Sequence, residues 1–466
     1  MKKIINALLI TAIFLIGNTS LLAGTKTAET KDDTASPTSE ISDLKLDYVL
    51  AQALAANRTI KKAEFAIKKA EGKVAEARSI AGLKLSGNLT QTRIDDVPTA
   101  DFGGQKMKLG LLDNQKVWLE LAQPLFLGQK DRAAIRSSRL GRQIAKHAFN
   151  LVRQQILLAA SISYYSWLYA REVEEVGRQN LELAQAHFDL VSKRFKAEQA
   201  SKYELLRADV RLVQSRSAYL KDQNDAQLSR LELLKLLSMP LDAKLNTTER
   251  LEAETLTPNL DEDLIAAEKE REDLKIKRCE MELAEQSMKA ARGEKQATVS
   301  LFGQYGSEDP SSKSSFGALE RKSYWIAGVS VNVPIIDAGN SSGKIAQADS
   351  ERMQSKNDYS DSLEQMQLEI RQATLTLSTS EQIVKAQKEN LKQAEETLRL
   401  AKVRYENGMF TQVDLFDAEN AWSNASLLYF QSVFQHHQAR LSYLLATGRF
   451  GRNLIATEVK GATNEK

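Results

Sequence analysis

His436 and His437 stand side by side, and His147 and His187 complete the histidines. A neutral imidazole can ligate a metal or act as a general base, so an adjacent pair is the first place to look for chemistry. Consecutive helix positions point about 100° apart and do not converge on one ion. The pair therefore reads as packing or surface. The single cysteine, Cys279, can form neither an internal disulfide nor a Cys-based zinc site. No Walker loop, Rossmann glycine pattern or H-E-x-x-H occurs. The methionines are scattered, so there is no metal-export track, and Trp167 and Trp422 fall where packing residues are expected. Runs such as AAEKEREDLKIKRCEMELAE (266–285) read as solvated helix faces with i,i+4 pairs. Nothing supports catalysis, and no catalytic, cofactor or metal site is expected.

Charge narrows the partners. Lys plus Arg is 64 and Asp plus Glu is 61, for a net +3. Loss of Lys2 and Lys3 with a signal sequence would bring the chain near +1. That balance carries no polyanion footprint and argues against nucleic acid. Lys2-Lys3, the apolar run Ile4–Ile16 and the small and polar residues to Ala23 have the order of a secretory signal, expected over 1–23. The run is too short for a bilayer span, which needs about 20 residues. With no Cys beside the cleavage zone, a lipid anchor is not expected. Residues 24–42 read as a polar, flexible leader. No later stretch approaches eighteen apolar residues, so membrane residence would require a β-barrel.

The elements are legible from breaks and repeats. No proline lies in 125–239 or 335–466, and 344–407 holds neither Pro nor Gly. Leu363, Ile370, Leu377, Val384, Leu391, Leu398 and Tyr405 recur every seventh residue there, beside a stripe of mostly small residues. This is a coiled-coil helix of roughly 96 Å. Aligned 210 positions apart, RQNLELAQAHFDLVSKRFKAEQASKYELLRA (178–208) matches KENLKQAEETLRLAKVRYENGMFTQVDLFDA (388–418) without a gap, and Pro124 pairs with Pro334. Slightly different offsets pair Ile60–Arg78 with Leu274–Arg292. The chain is one unit used twice, expected over 43–256 and 257–450 with a tail at 451–466.

Each unit also alternates with period two. Leu83, Leu85 and Leu89 alternate with polar neighbours, as do Val117, Leu119 and Leu121. In the second unit Val299, Leu301 and Tyr305 alternate, followed by Trp325, Ala327, Val329, Val331 and Val333. These predict two hairpins, 83–124 and 297–334, with strands of roughly ten residues. Trp118, Tyr305, Tyr324 and Trp325 near strand ends are candidates for an interfacial girdle. Four strands cannot close a membrane barrel, which needs at least eight. A membrane reading therefore requires strands from several chains. A soluble reading leaves two marginal hairpins on very long helices.

Together these features resemble the TolC family of outer-membrane efflux and secretion ducts. The carrying residues are LKLDYVLAQALAANRTIKKAE (44–64), the duplicated RFKAEQASKYELLRAD (194–209) and RYENGMFTQVDLFDAE (404–419), the passages QPLFLGQKDR (123–132) and VPIIDAGNSSGK (333–344), and LLATG (444–448). The resemblance spans about 44–450. It implies an α+β membrane protein: a homotrimeric transmembrane β-barrel with four strands per chain, continued by a long α-helical periplasmic barrel with an internal two-fold repeat. A belt, here 238–260 with the terminal segments, would surround the helices. By that likeness the tunnel helices are 129–196 and 341–407, and their partners 44–80, 201–238, 261–296 and 411–447. The implied partners are a periplasmic adaptor, an inner-membrane pump and outer-membrane lipid, with no cofactor.

Residue roles follow only from that likeness. Arg194, Glu198 and Ser201, with Arg404, Gly408 and Thr411, would form adaptor-docking tips. Asp189, Arg194, Glu395, Glu396 and Arg399 are the candidate periplasmic gate, a set of charges repeated around the trimer axis. One departure is visible: the family's tip glycine is Gly408, but its first-repeat counterpart is Glu198. The first tip is therefore expected to turn in another way. The rival from another class is a periplasmic coiled-coil scaffold without a pore.

Overall fold

A computed structural model of the protein describes residues 43–96, 99–108, 113–310, 313–314, 317–318 and 322–450. The expected signal (1–23), leader (24–42) and tail (451–466) lie outside them. Two helices open the chain, α1 (Leu46–Ala56) and α2 (Arg58–Ser79). A hairpin follows, β1 (Lys84–Arg93) and β4 (Asp113–Phe126), whose loop carries the short β2 (Thr99–Phe102) and β3 (Gln105–Lys108). Then come α3 (Lys130–Lys196) and α4 (Lys202–Leu236). The order repeats as α5 (Leu260–Glu270), α6 (Glu272–Gly293), β5 (Thr298–Pro310), β6 (Lys313–Ser314), β7 (Gly317–Ala318), β8 (Lys322–Asn332), α7 (Asn340–Glu406) and α8 (Gln412–Ala446).

Both long helices have 67 residues, about 100 Å of straight helix. They hold because the apolar heptad of α7 finds partners along its length. Ile370 and Met366 pack on Leu274 and Ala267 near α5 and α6, Leu377 on Ala439 and Tyr443 of α8, and Leu398 and Tyr405 on Leu415 and Ala418. The main core sits at mid-height. There Leu157, Ala160, Tyr164, Trp167 and Leu168 of α3 bury against Leu44 and the belt residues Ala243, Leu245 and Leu251. In the half nearest the strands the wall runs α2, α3, α6, α7; in the other half it runs α4, α3, α8, α7.

Two expected single helices are each broken in two. The partner expected over 44–80 breaks at Asn57, with ψ at 125°, and its side chain caps α2 by accepting from Thr59 N at 2.8 Å. The partner expected over 261–296 breaks at Arg271, which has the same ψ. Its guanidinium binds Asp273 at 2.6 Å and Glu369 of α7 at 2.7 Å. A side-chain cap and an ion-pair anchor replace the proline or glycine that a break normally requires.

The four long strands form one antiparallel sheet in the order β1-β4-β5-β8, so β1 and β8 are open edges. β4 and β5 are longer than ten residues, at 14 and 13. The extra length of β4 includes Pro124, which donates no ladder bond; the register slips between Pro124 and Phe126. Where sheet passes to helix the chain is tight. A Cβ on Gly293 would lie 2.3 Å from Gly128 O, so only glycine fits.

Candidate functional site

The sheet has two unlike faces. Register places Leu85, Leu121, Gly303 and Ala327 in one row, and Gly87, Leu119, Tyr305 and Trp325 in the next. Leu301 and Val329 follow, then Val299 and Val331. This face is apolar and uncovered; Trp325 is 76% exposed and Val331 61%. The other face is mixed: Ser86, Glu120, Gln304 and Ile326 form one row, Asn88, Trp118, Gly306 and Tyr324 the next, and on the helix side Ala122, Phe302 and Gly328 precede Ser300 and Ser330. The expected girdle is corrected accordingly. Tyr305 and Trp325 lie on the apolar face, whereas Trp118 and Tyr324 point to the mixed side, because register sets them opposite Gly306.

At the far end, the two helix turns are built alike. After α3, Glu198 N donates to Phe195 O and Gln199 N to Arg194 O, at 3.0 and 2.8 Å. After α7, Gly408 N donates to Tyr405 O and Met409 N to Arg404 O, at 3.0 and 2.9 Å. Both are Schellman closures. Glu198 adopts φ 57° and Gly408 φ 72°, so the first tip does not turn in another way. It takes the glycine conformation without a glycine, at about 1–2 kcal/mol. The helices that follow start on matching capping boxes, Ser201 with Glu204 and Thr411 with Asp414. Their S-x-x-E and T-x-x-D spacing was readable in the sequence.

Behind the tips lies a contact the sequence did not disclose. Buried His187 on α3 places Nε2 2.9 Å from the amide nitrogen of Gln412 on α8. That nitrogen also donates to Glu204 O of α4 at 3.4 Å, so the imidazole must accept and be neutral. Burial, and then the nearby Arg194, lower the pKa of His187 to about 4. Arg194 lies over the Tyr405 ring at 5.5 Å and Arg404 over Phe410 at 5.1 Å.

The candidate gate residues do not form one cluster within a chain. Arg399 binds Glu396 at 2.7 Å on an exposed face, and this hydrogen bond lowers the carboxyl pKa. Glu395 and Arg399 share a groove of about 450 Å³ with Gln179, Glu182, Lys402 and Trp422. Asp189 accepts from Gln185 at 3.0 Å. Among the described residues no hydrogen bond or ion pair joins Asp189 or Arg194 to Glu395, Glu396 or Arg399.

His436 and His437 anchor the belt. Their Nε2 atoms lie 2.8 Å from Glu254 O and Glu252 O, and His437 stacks on Tyr165 at 3.9 Å. Burial lowers His437 to about 4. The neighbouring rings point to carbonyls two residues apart, as their helical offset requires. Tyr164 fastens the other end of the belt, donating to Leu44 O at 3.1 Å and Glu249 at 2.6 Å.

The family described as outer membrane efflux protein matches the chain over residues 49–238 and 264–449. No curated protein matches it significantly by sequence. Among solved structures it is similar to the outer membrane channel CmeC of Campylobacter jejuni, with TM-score 0.75 at 19% identity over 87% of this chain and 86% of that one. VceC of Vibrio cholerae gives 0.70 at 19% over 86% and 96%. The open state of MtrE of Neisseria gonorrhoeae gives 0.72 at 17% over 91% and 96%. At these identities the likeness is one of fold.

Proposed function

The chain belongs to the outer membrane efflux protein family, and on that premise we propose that three copies close one duct. It is an outer-membrane efflux channel that extends into the periplasm, a passive conduit and not an enzyme. The observation carrying the trimer is the open sheet. Its edges β1 and β8 are unpaired, and one face is mostly apolar from the row of Gly87, Leu119, Tyr305 and Trp325 to that of Val299 and Val331. Unsatisfied backbone in lipid costs several kcal/mol per group, so β8 of one copy must meet β1 of the next. Twelve strands would then form the barrel. The helical wall also has apolar free edges. Tyr203, Leu206, Val210, Val213 and Leu220 stand exposed at heptad spacing along α4, and Leu368 and Leu375 along α7.

In this reading the adaptor meets the paired turns at 194–209 and 404–419, which are the end farthest from the sheet, and the pump behind the adaptor supplies the energy. Asp189, Arg194, Glu395, Glu396 and Arg399 remain the proposed gate, meeting their counterparts across the trimer axis. A pore-free scaffold finds no support, since it leaves the apolar sheet face without a role. The test is cell fractionation followed by gel mobility with and without heating. A heat-modifiable oligomer of about three chains in the outer membrane is expected; a membrane-free monomer would refute the proposal. Cysteines at Glu198 and Met409 should crosslink to an adaptor in cells. Efficient crosslinking from Thr99 instead would put the docking surface at the other end.

A further inference from the structure

The near-neutral net charge conceals one strongly uneven region. From Lys130 to Arg153 the chain carries seven cations and a single acid, Asp131. In this first part of α3 the exposed positions are Arg132, Arg136, Arg139, Gln143 and Lys146, one helix stripe with spacing i, i+4, i+7, i+11, i+14. Among the described residues none of these four cations has an ion pair, whereas nearby Lys130 is bound to Glu294 at 3.1 Å.

The fold does not demand this row. At the 210-residue offset the equivalent positions of α7 are Ser342, Ala346, Asp349, Met353 and Lys356, on a similarly open face. One cation survives there, and an acid replaces Arg139.

The row's place in the wall follows from its heptad. Continued along α3, the same two stripes reach Leu157, Ala160, Tyr164, Trp167 and Arg171. Tyr164 and Arg171 bond to Leu44 O and Thr247 O of the belt. In a supercoiled helix heptad positions keep one face, so the row and the belt share a side. That side is the outside of the tube, because three belts inside would fill the bore. α3 is flanked by α2 and α6 of its own chain, so ring closure between α7 and α2 leaves the row uncovered.

We propose that this row is a docking strip for a carboxylate-bearing polymer of the cell wall, lying along the outer face of the duct between belt and barrel. The inference rests on the duct reading above. Lipid is the weaker occupant: fourteen residues rise about 21 Å, while a headgroup layer is about 5–8 Å deep. A packed protein partner is also disfavoured. Among the described residues no large apolar side chain is exposed between Phe126 and Phe195, and the flanking α2 and α6 expose Phe65 alone, too little for the apolar centre of a stable protein interface. What remains is recognition by charge alone, which a flexible polyanion satisfies and salt weakens.

The test uses the unheated full-length oligomer in detergent, sedimented with purified cell-wall sacculi and, separately, with phosphatidylglycerol vesicles. The variant Arg132→Ser/Arg136→Ala/Arg139→Asp installs the residues of the second repeat. Sedimentation with sacculi should fall at least tenfold, and that of the parent should fall as salt rises. Equal sedimentation of parent and variant overturns the proposal, as does a parent that binds vesicles but not sacculi. If the triple variant fails to assemble, Arg136→Gln/Arg139→Gln decides by the same readout. A parent that runs as a heat-modifiable oligomer yet ignores sacculi refutes the strip alone; a parent that never forms the oligomer refutes the duct.

Discussion

Glu198 holds a left-handed turn that its repeat mate Gly408 holds without steric cost. Glu198→Gly should therefore stabilise the first tip by about 1 kcal/mol, and Gly408→Glu should destabilise the second by about 1–2 kcal/mol. Hydrogen exchange of the Gln199 and Met409 amides, which close the two turns, measures both; unequal signs are the expected result, and no change in either would contradict the turn geometry. Buried histidines give a pH prediction. His187 and His437 stay neutral in the fold down to about 4, whereas an unfolded histidine takes its proton near 6.5. Above that pH the two states hold the same protons. Between about 6.5 and 4 only the unfolded chain is charged, so stability falls with pH, by about 3 kcal/mol per histidine at most. Around His187 the facing charge is Arg194, with Tyr405 and Gln412 neutral; around His437 it is Arg440. Amide protection at the tips and belt should drop between pH 7.5 and 4.5, and protection that is unchanged would contradict the buried neutral assignment.

At the scale of elements, what announced itself was periodic. The seven-residue recurrence from Leu363 to Tyr405 marked α7, and alternation around Val329 and Val331 marked β8. The breaks at Asn57 and Arg271 did not, because neither uses proline or glycine. The Arg271 break depends on Glu369, 98 residues away in sequence, and spacing cannot reveal such a partner. The same holds for His187, whose meaning lies in Gln412 on the other repeat. Side-chain alternation does yield a sharp test. Val331 lies on the apolar face and Ser330 on the mixed one. Val331 stands one residue from the helix-side end of β8, so Val331→Arg should cost about 1 kcal/mol, below the midplane value of about 2–4 kcal/mol, and Ser330→Arg less. The fraction of unheated oligomer measures this, and equal losses would remove the assignment of faces.

The whole molecule is an incomplete wall: four strands with two open edges, standing on long helices whose outer members also lack neighbours. The proposed gate belongs to this scale, because within one chain no hydrogen bond or ion pair among the described residues joins Asp189 or Arg194 to Glu395, Glu396 or Arg399. Glu396 is already matched by Arg399, so Glu395, which among the described residues has no ion pair, should dominate any cation preference. In a salt gradient Glu395→Gln should shift the reversal potential more than Glu396→Gln, and block by multivalent cations should weaken. An unchanged potential in both would show that these carboxylates do not line the gate. The central claim is that copies of this chain join into one continuous water-filled duct. Recording from planar bilayers with the unheated oligomer, and again after heating to separate the chains, tests it most directly. Discrete current steps from the unheated oligomer alone are the predicted result; no steps from it, or equal steps from separated chains, would contradict the account.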